Sequence, residues 1–240
     1  MISYEEFSSN LNDLRLKVSK ACEGCGRKPE EVVLLPVTKN WPVDAVKYCQ
    51  KAGVFRVGEN KVQEALSKQA QTDGVSWELI GHLQSNKVNQ VVGAFARIQT
   101  LDSIKLIKKV QAASERIDCK TSILLQINAG NDPAKFGFSI KEAKLALDEA
   151  LSSSHLRVEG LMTIAPYVPD DLSVAQNTFA KLADLREALS ASHGVELKDL
   201  SMGMSDDLAE AIACGSTMIR VGSALFGQRS LANYPLDKFS

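Results

Sequence analysis

Eight short apolar runs, each followed by a segment of helical periodicity, constrain this chain more than any other feature of its sequence. The runs lie at 32–38, 54–58, 77–81, 96–101, 122–128, 158–165, 197–202 and 218–222. Between them come helix-like segments near 42–52, 60–70, 85–93, 103–116, 139–152, 172–191 and 205–214. The first run, Val32-Val-Leu-Leu-Pro-Val, shows no alternation of polar and apolar residues, as expected of a strand covered on both faces. Strands alternating with helices imply parallel βαβ crossovers. An open doubly wound sheet and a closed (β/α)8 barrel both satisfy that pattern. Eight units favour closure, and no Gly-x-Gly-x-x-Gly follows the first run, which weakens the dinucleotide-binding alternative. The expectation is an α/β chain forming a single (β/α)8 TIM barrel over about 32–229, one domain spanning 1–240. An extra N-terminal helix over 3–22 precedes it. Phe7, Leu11, Leu14, Val18 and Cys22 share one face of that helix, and Ser3 with Glu6 suits a capping box. A short helical turn is expected to start at Ser223.

Composition narrows the function classes. A net charge of −1 over 240 residues gives no general attraction to nucleic acid or to an anionic membrane. No apolar run approaches the length of a membrane span, and the acidic start Met1-Ile-Ser-Tyr-Glu-Glu-Phe7 lacks the layout of a signal peptide. Five cysteines, an odd number, fit reduced thiols in a cytoplasm. Cys22-Glu-Gly-Cys25 has the spacing of a redox or metal pair but has no second pair beside it, and is read as incidental.

In such barrels the active groups gather at the carboxyl ends of the strands. Lys39 directly follows the first run, where partial desolvation favours the neutral amine, a nucleophile able to form a Schiff base with a carbonyl. An ordinary lysine with its stem buried and its head in water is the alternative. After the seventh and eighth runs come Ser205-Asp-Asp207 and Arg220-Val-Gly222-Ser223. Ser205 suits an N-cap with Asp206 and Asp207 in the first helical turn, and Gly222-Ser223 offers backbone N–H groups and a hydroxyl to an anion. Two ordinary helix starts would look the same. Arg220 keeps its proton and needs an acceptor, which could be a loop, a phosphate, a ring nitrogen or a carboxylate such as Glu59. His82 is the one histidine at a strand end, either packed under a loop or available for proton transfer. Met162, Met202 and Met204 read as filling or pocket wall. The chain shows no metal-ligand spacing.

Several motifs together resemble one family. They are Pro36-Val-Thr-Lys39, Gly58-Glu-Asn-x-Val-Gln-Glu64, Ile80-Gly-His-Leu-Gln-Ser-Asn-Lys87, Lys135-Phe-Gly-Phe138, Gly160-Leu-Met-Thr163, Ser201-Met-Gly-Met-Ser-Asp-Asp207 and Ile219-Arg-Val-Gly-Ser-Ala-Leu-Phe-Gly227. The set is similar to the pyridoxal-phosphate homeostasis protein family (YggS/PROSC type) and runs in order over nearly the whole chain. The resemblance implies a barrel like the N-terminal domain of alanine racemase, the type III fold of pyridoxal-phosphate (PLP) proteins. It implies PLP held as a Schiff base on Lys39. Ser205, Gly222 and Ser223 would hold the phosphate, Arg220 would reach the pyridine nitrogen, and Asn60 and Met162 would line the ring. Thr38, Asn40 and Ser223 depart mildly from the common pattern while remaining small and polar.

Three functions follow as alternatives. A non-catalytic carrier would hold PLP, act in intracellular vitamin B6 homeostasis and supply PLP-dependent apo-enzymes. An amino-acid racemase or lyase would use the same linkage, but the sequence stops at Ser240, soon after Gly227, leaving no room for the racemase's additional β-domain. The missing dimer contacts of that domain make a monomer the expectation. A Schiff-base aldolase acting on a phosphorylated sugar is the third. The carrier is favoured.

Overall fold

The computed structural model describes residues 1–228. The strands are β1 (Val33–Pro36), β2 (Arg56–Glu59), β3 (Ser76–Leu79), β4 (Arg97–Leu101), β5 (Thr121–Gln126), β6 (Leu156–Met162), β7 (Asp199–Ser201) and β8 (Met218–Val221). The helices are α1 (Tyr4–Gly24), α2 (Val43–Lys51), α3 (Val62–Gln69), α4 (Val88–Val91), α5 (Ile104–Arg116), α6 (Ala143–Leu151), α7 (Leu172–His193), α8 (Leu208–Ala213) and α9 (Ser223–Phe226). Each of the eight expected runs overlaps a strand, with ends displaced by no more than three residues. All pairings are parallel, in the order β1-β8-β7-β6-β5-β4-β3-β2. The ring closes where Val37 bridges Gly58 and the Thr38 N–H donates to the Gly58 carbonyl at 3.0 Å. That closure rules out the open sheet. Residue 229, the expected end of the barrel, lies outside the described residues.

Helix α1 forms as its periodicity predicts. Phe7, Leu11, Leu14, Val18 and Cys22 are all buried, each large side chain contributing about 1.5–3 kcal/mol of apolar burial. The Ser3 hydroxyl accepts the Glu6 N–H at 3.1 Å and caps the helix start. The helix packs against α8 and α9. Phe7 stacks on Phe226 with centroids 5.5 Å apart, and Trp41 leans on the other side of Phe226 at 5.9 Å. Thus α1 buttresses from behind the turn that ends β8.

Three helices start later than their periodicity suggests, because local turns consume the first residues. Glu142 accepts from the N–H and the hydroxyl of Ser139, so α6 begins only at Ala143. Lys87 N–H bonds Gln84 in a turn, and α4 is reduced to Val88–Val91. Before α8, Asp207 accepts the Met204 N–H at 2.6 Å and occupies the N-cap position itself. Ser205 is therefore not a helix cap, and Asp206 and Asp207 are not in a first helical turn.

The floor of the barrel is charged. Arg97, the first residue of β4, is buried and reaches Glu78 at 2.9 Å, Glu159 at 3.1 Å and Asp199, carboxylates from three other strands. Arg56 adds a second cation to Glu78 at 3.4 Å. Burial alone would lower the Arg97 pKa, but Glu78 and Asp199 outweigh it and raise it above the ordinary arginine value.

Candidate functional site

Above this floor, at the carboxyl ends of the strands, a cavity of about 250 Å³ opens to solvent. Lys39, Asn60, Ser205, Arg220, Gly222 and Ser223 all line it. These residues come from the ends of β1, β2, β7 and β8, far apart in sequence and joined only by ring closure. Met162 is fully buried and is not part of this wall, where β6 instead contributes Ile164 just past its end.

Lys39 sits half-buried in the turn after β1. Trp41 N–H closes the turn on the Thr38 carbonyl at 3.1 Å. Asn40 takes a left-handed φ of 60°, a conformation that asparagine tolerates better than most side chains. The end of β2 is brought against the end of β3 by Gly81: a Cβ there would lie 2.2 Å from the Asn60 carbonyl oxygen. Any larger residue at 81 would push the Asn60 loop off the cavity.

Arg220, third in β8, is buried with its guanidinium held by neutral acceptors. It donates to Ser201 Oγ at 2.8 Å and to the Thr163 carbonyl at 2.9 Å. Ser201 in turn donates to Gln99, and Gln99 to Glu78 of the floor. The ion pair with Glu59 raised from the sequence does not form, because Glu59 is committed to Lys68 at 2.5 Å. Among the described residues no carboxylate lies within ion-pair distance of Arg220. Burial brings its pKa down to about 10, partly offset by attraction to Asp207, and it keeps its proton at neutral pH. Asp207 is raised above the ordinary carboxylate value by its own burial, against the opposing pull of the Met204 N–H and Arg220.

Gly222 and Ser223 begin the single turn of α9, as expected, and Ser205 lines the same cavity. Two hydroxyls, a glycine backbone, a lysine and a buried cation thus line one cavity. Such a donor set suits an anionic group carried by a carbonyl compound.

Comparison with known proteins accords with that geometry. Residues 10–230 match the family model described as the alanine racemase N-terminal domain. A pyridoxal phosphate homeostasis protein of Haemophilus influenzae is 35% identical over 226 residues, covering 92% of this chain and 95% of the relative. The chain belongs to the pyridoxal phosphate homeostasis protein family. A structure of PipY from Synechococcus elongatus, with PLP bound, superposes with a TM-score of 0.80 at 31% identity, covering 92% of this chain and all of PipY. Alanine racemase of Clostridium difficile shares the fold at a TM-score of 0.78 and 16% identity, with this chain spanning 58% of its length.

Several wall residues of this family member escape a reading of strand ends. Trp41 and Tyr167 both line the cavity, one beyond the Lys39 turn and the other in the loop after β6. Their signal is weak, an aromatic residue in a loop. His82 lines a separate cleft with Lys61, Gln84 and Lys87, hydrogen-bonded to Asp102 at 2.9 Å and stacked on Phe136 at 4.1 Å. It is not in the wall around Lys39. Cys22 and Cys25 are free thiols, and no group of metal-ligating side chains occurs among the described residues. No described helix is long and apolar enough to cross a membrane.

Proposed function

We propose that this chain binds pyridoxal 5'-phosphate as a Schiff base on Lys39 and acts in intracellular PLP homeostasis without catalytic turnover, as a monomer that passes the cofactor to PLP-dependent apo-enzymes. One observation carries the reading: a single small cavity unites Lys39, Arg220 and the Ser205–Gly222–Ser223 wall. Membership of a family named for pyridoxal phosphate homeostasis, and a PLP-bound relative of the same fold, support the choice of cofactor. When bound, the cofactor would supply an aldehyde and an electron-accepting ring. Lys39 condenses as the neutral amine with that aldehyde, forming a C=N bond and releasing one water, so neither oxidant nor reductant is consumed. Ser205, Ser223 and the Gly222 backbone bind the phosphate, and Asn60 forms part of the ring wall. Arg220 donates to the ring nitrogen and, holding its own proton, leaves that nitrogen unprotonated, which weakens the ring as an electron sink. That weakness favours storage over turnover.

Lys39→Ala is expected to abolish the visible absorbance of the loaded protein and the adduct fixed by borohydride, with the melting temperature within about 3 °C of the parent. Retained absorbance would remove Lys39 as the attachment point. One observation favours a second reading, amino-acid racemisation: Tyr167, an ionisable hydroxyl, shares the cavity with Lys39. D-enantiomer accumulating from L-amino acids, and lost in Tyr167→Phe, would replace the carrier reading.

A further inference from the structure

Lys39 is flanked by an ion cluster set between the end of β2 and α3. Lys68 of α3 is 5% exposed, and its ammonium spends all three hydrogens at one place. It donates to Glu59 at 2.5 Å, to Glu64 at 2.8 Å and to the Thr38 carbonyl at 2.7 Å. The Thr38 hydroxyl donates to the same Glu59 oxygen at 2.8 Å. The Asn40 N–H donates to the same Glu64 oxygen at 2.5 Å. The residue before Lys39 and the residue after it are therefore both tied to one cation and its two carboxylates.

A buried ion triad is a poor source of stability, since desolvation offsets much of the Coulomb attraction. Burial indeed pushes the Glu59 carboxyl up, against the Lys68 and Thr38 bonds that oppose it. Its geometric effect is much clearer. The Lys39 turn borders the cavity and carries a left-handed Asn40. Bonds on both flanks fix the backbone from which the lysine stem leaves.

We infer that Lys68, Glu59 and Glu64 are positioning residues: the triad clamps the Thr38–Asn40 backbone so that the Lys39 amine is presented to an aldehyde in the cavity. The inference rests on the Schiff-base reading above and adds to it the residues that make the amine competent. Ser205, Gly222, Ser223 and Arg220 share no hydrogen bond with the clamp; Glu59 alone also accepts the N–H of the ring-wall residue Asn60, at 3.2 Å. Through Glu64 and Thr38 the clamp should thus favour the aldehyde selectively and leave a non-condensing analogue nearly unaffected.

Pyridoxine 5'-phosphate, which carries an alcohol where the cofactor carries the aldehyde, separates the two effects. Glu64→Ala frees the Asn40 N–H and removes one carboxylate at a partly exposed position. It is expected to weaken pyridoxal 5'-phosphate binding about tenfold while changing pyridoxine 5'-phosphate binding less than about twofold, both titrated by quenching of tryptophan fluorescence, Trp41 lining the cavity. Thr38→Val, nearly isosteric, should lower aldehyde affinity in the same selective way by a smaller factor. Glu64→Gln, which keeps an oxygen for the Asn40 N–H, should recover part of the loss. Because Lys68→Met strands the Glu59 carboxylate, Lys68 is tested as Lys68→Met with Glu59→Gln, which leaves no buried charge; the selective loss is expected there too. Equal weakening of both ligands would reduce the triad to a structural role, and no change in either would remove it. Lys39→Ala in an otherwise unaltered chain should erase the preference for aldehyde over alcohol. If that preference survived, the Schiff-base reading would fail first and take the clamp with it.

Discussion

The two ends of the barrel interior are both polar, yet they use their charges in opposite ways. At the floor, Arg97 meets Glu78, Glu159 and Asp199, and Glu78 also meets Arg56 and Gln99. At the mouth, the buried Arg220 meets only a hydroxyl and a carbonyl, on the wall of a cavity lined by further donors. Charge matched by charge is structure. A buried cation hydrogen-bonded only to neutral acceptors and attracted to Asp207 without an ion pair, beside serine hydroxyls and a glycine backbone, is a place where an anion from outside completes the set. The lesson applies within a single protein: burial of a charged side chain does not by itself mark function, whereas the nature of its partners does.

The comparison can be broken from the floor. Arg97→Leu leaves three carboxylates around a lost cation, and unfolding free energy is expected to fall by about 3–5 kcal/mol in chemical denaturation. A loss below about 1 kcal/mol would mean that the floor is not held by its ion pairs. From the mouth, Arg220→Ala is expected to cost little stability by comparison, about 1–3 kcal/mol for the acceptors left behind, while lowering retention of pyridoxal 5'-phosphate through gel filtration about tenfold or more. Retention equal to the parent's would erase the contrast between the two arginines. The smallest effect sharpens it. Asp207→Asn keeps an acceptor for the Met204 N–H and removes one negative charge from the cavity wall, so inorganic phosphate should bind about twofold to threefold more tightly. Because the folded-state pKa of Asp207 is raised, the parent loses this repulsion as pH falls through that pKa, and the two proteins should converge in acid. A difference independent of pH would assign the effect to shape.

The family member also shows how far local pattern carries. The alternation of apolar runs and helical segments located every strand and every principal helix, because side-chain periodicity is a property of residues a few positions apart. The placement of active groups at strand ends picked out Lys39, Ser205, Arg220, Gly222 and Ser223, and the family resemblance added Asn60; all of them line one cavity. Helix starts were less readable. Asp207, not Ser205, stands at the N-cap of α8, since several acceptors in one loop compete for the same N–H groups and only their final positions choose between them.

Pairings between distant elements belong to the tertiary structure alone. Nothing in the sequence assigns Glu59 to Lys68 instead of Arg220, places Tyr167 at the cavity and His82 outside it, or withdraws Met162 from the wall. Arg97 finds Asp199 across 102 residues of chain only because β4 and β7 face each other inside a closed ring. Local sequence determined which residues stand at the mouth of the barrel. Closure of the ring decided which of them meet, because hydrophobic period acts over a few residues while hydrogen-bond partners are chosen by distances that exist only once eight strands have come together.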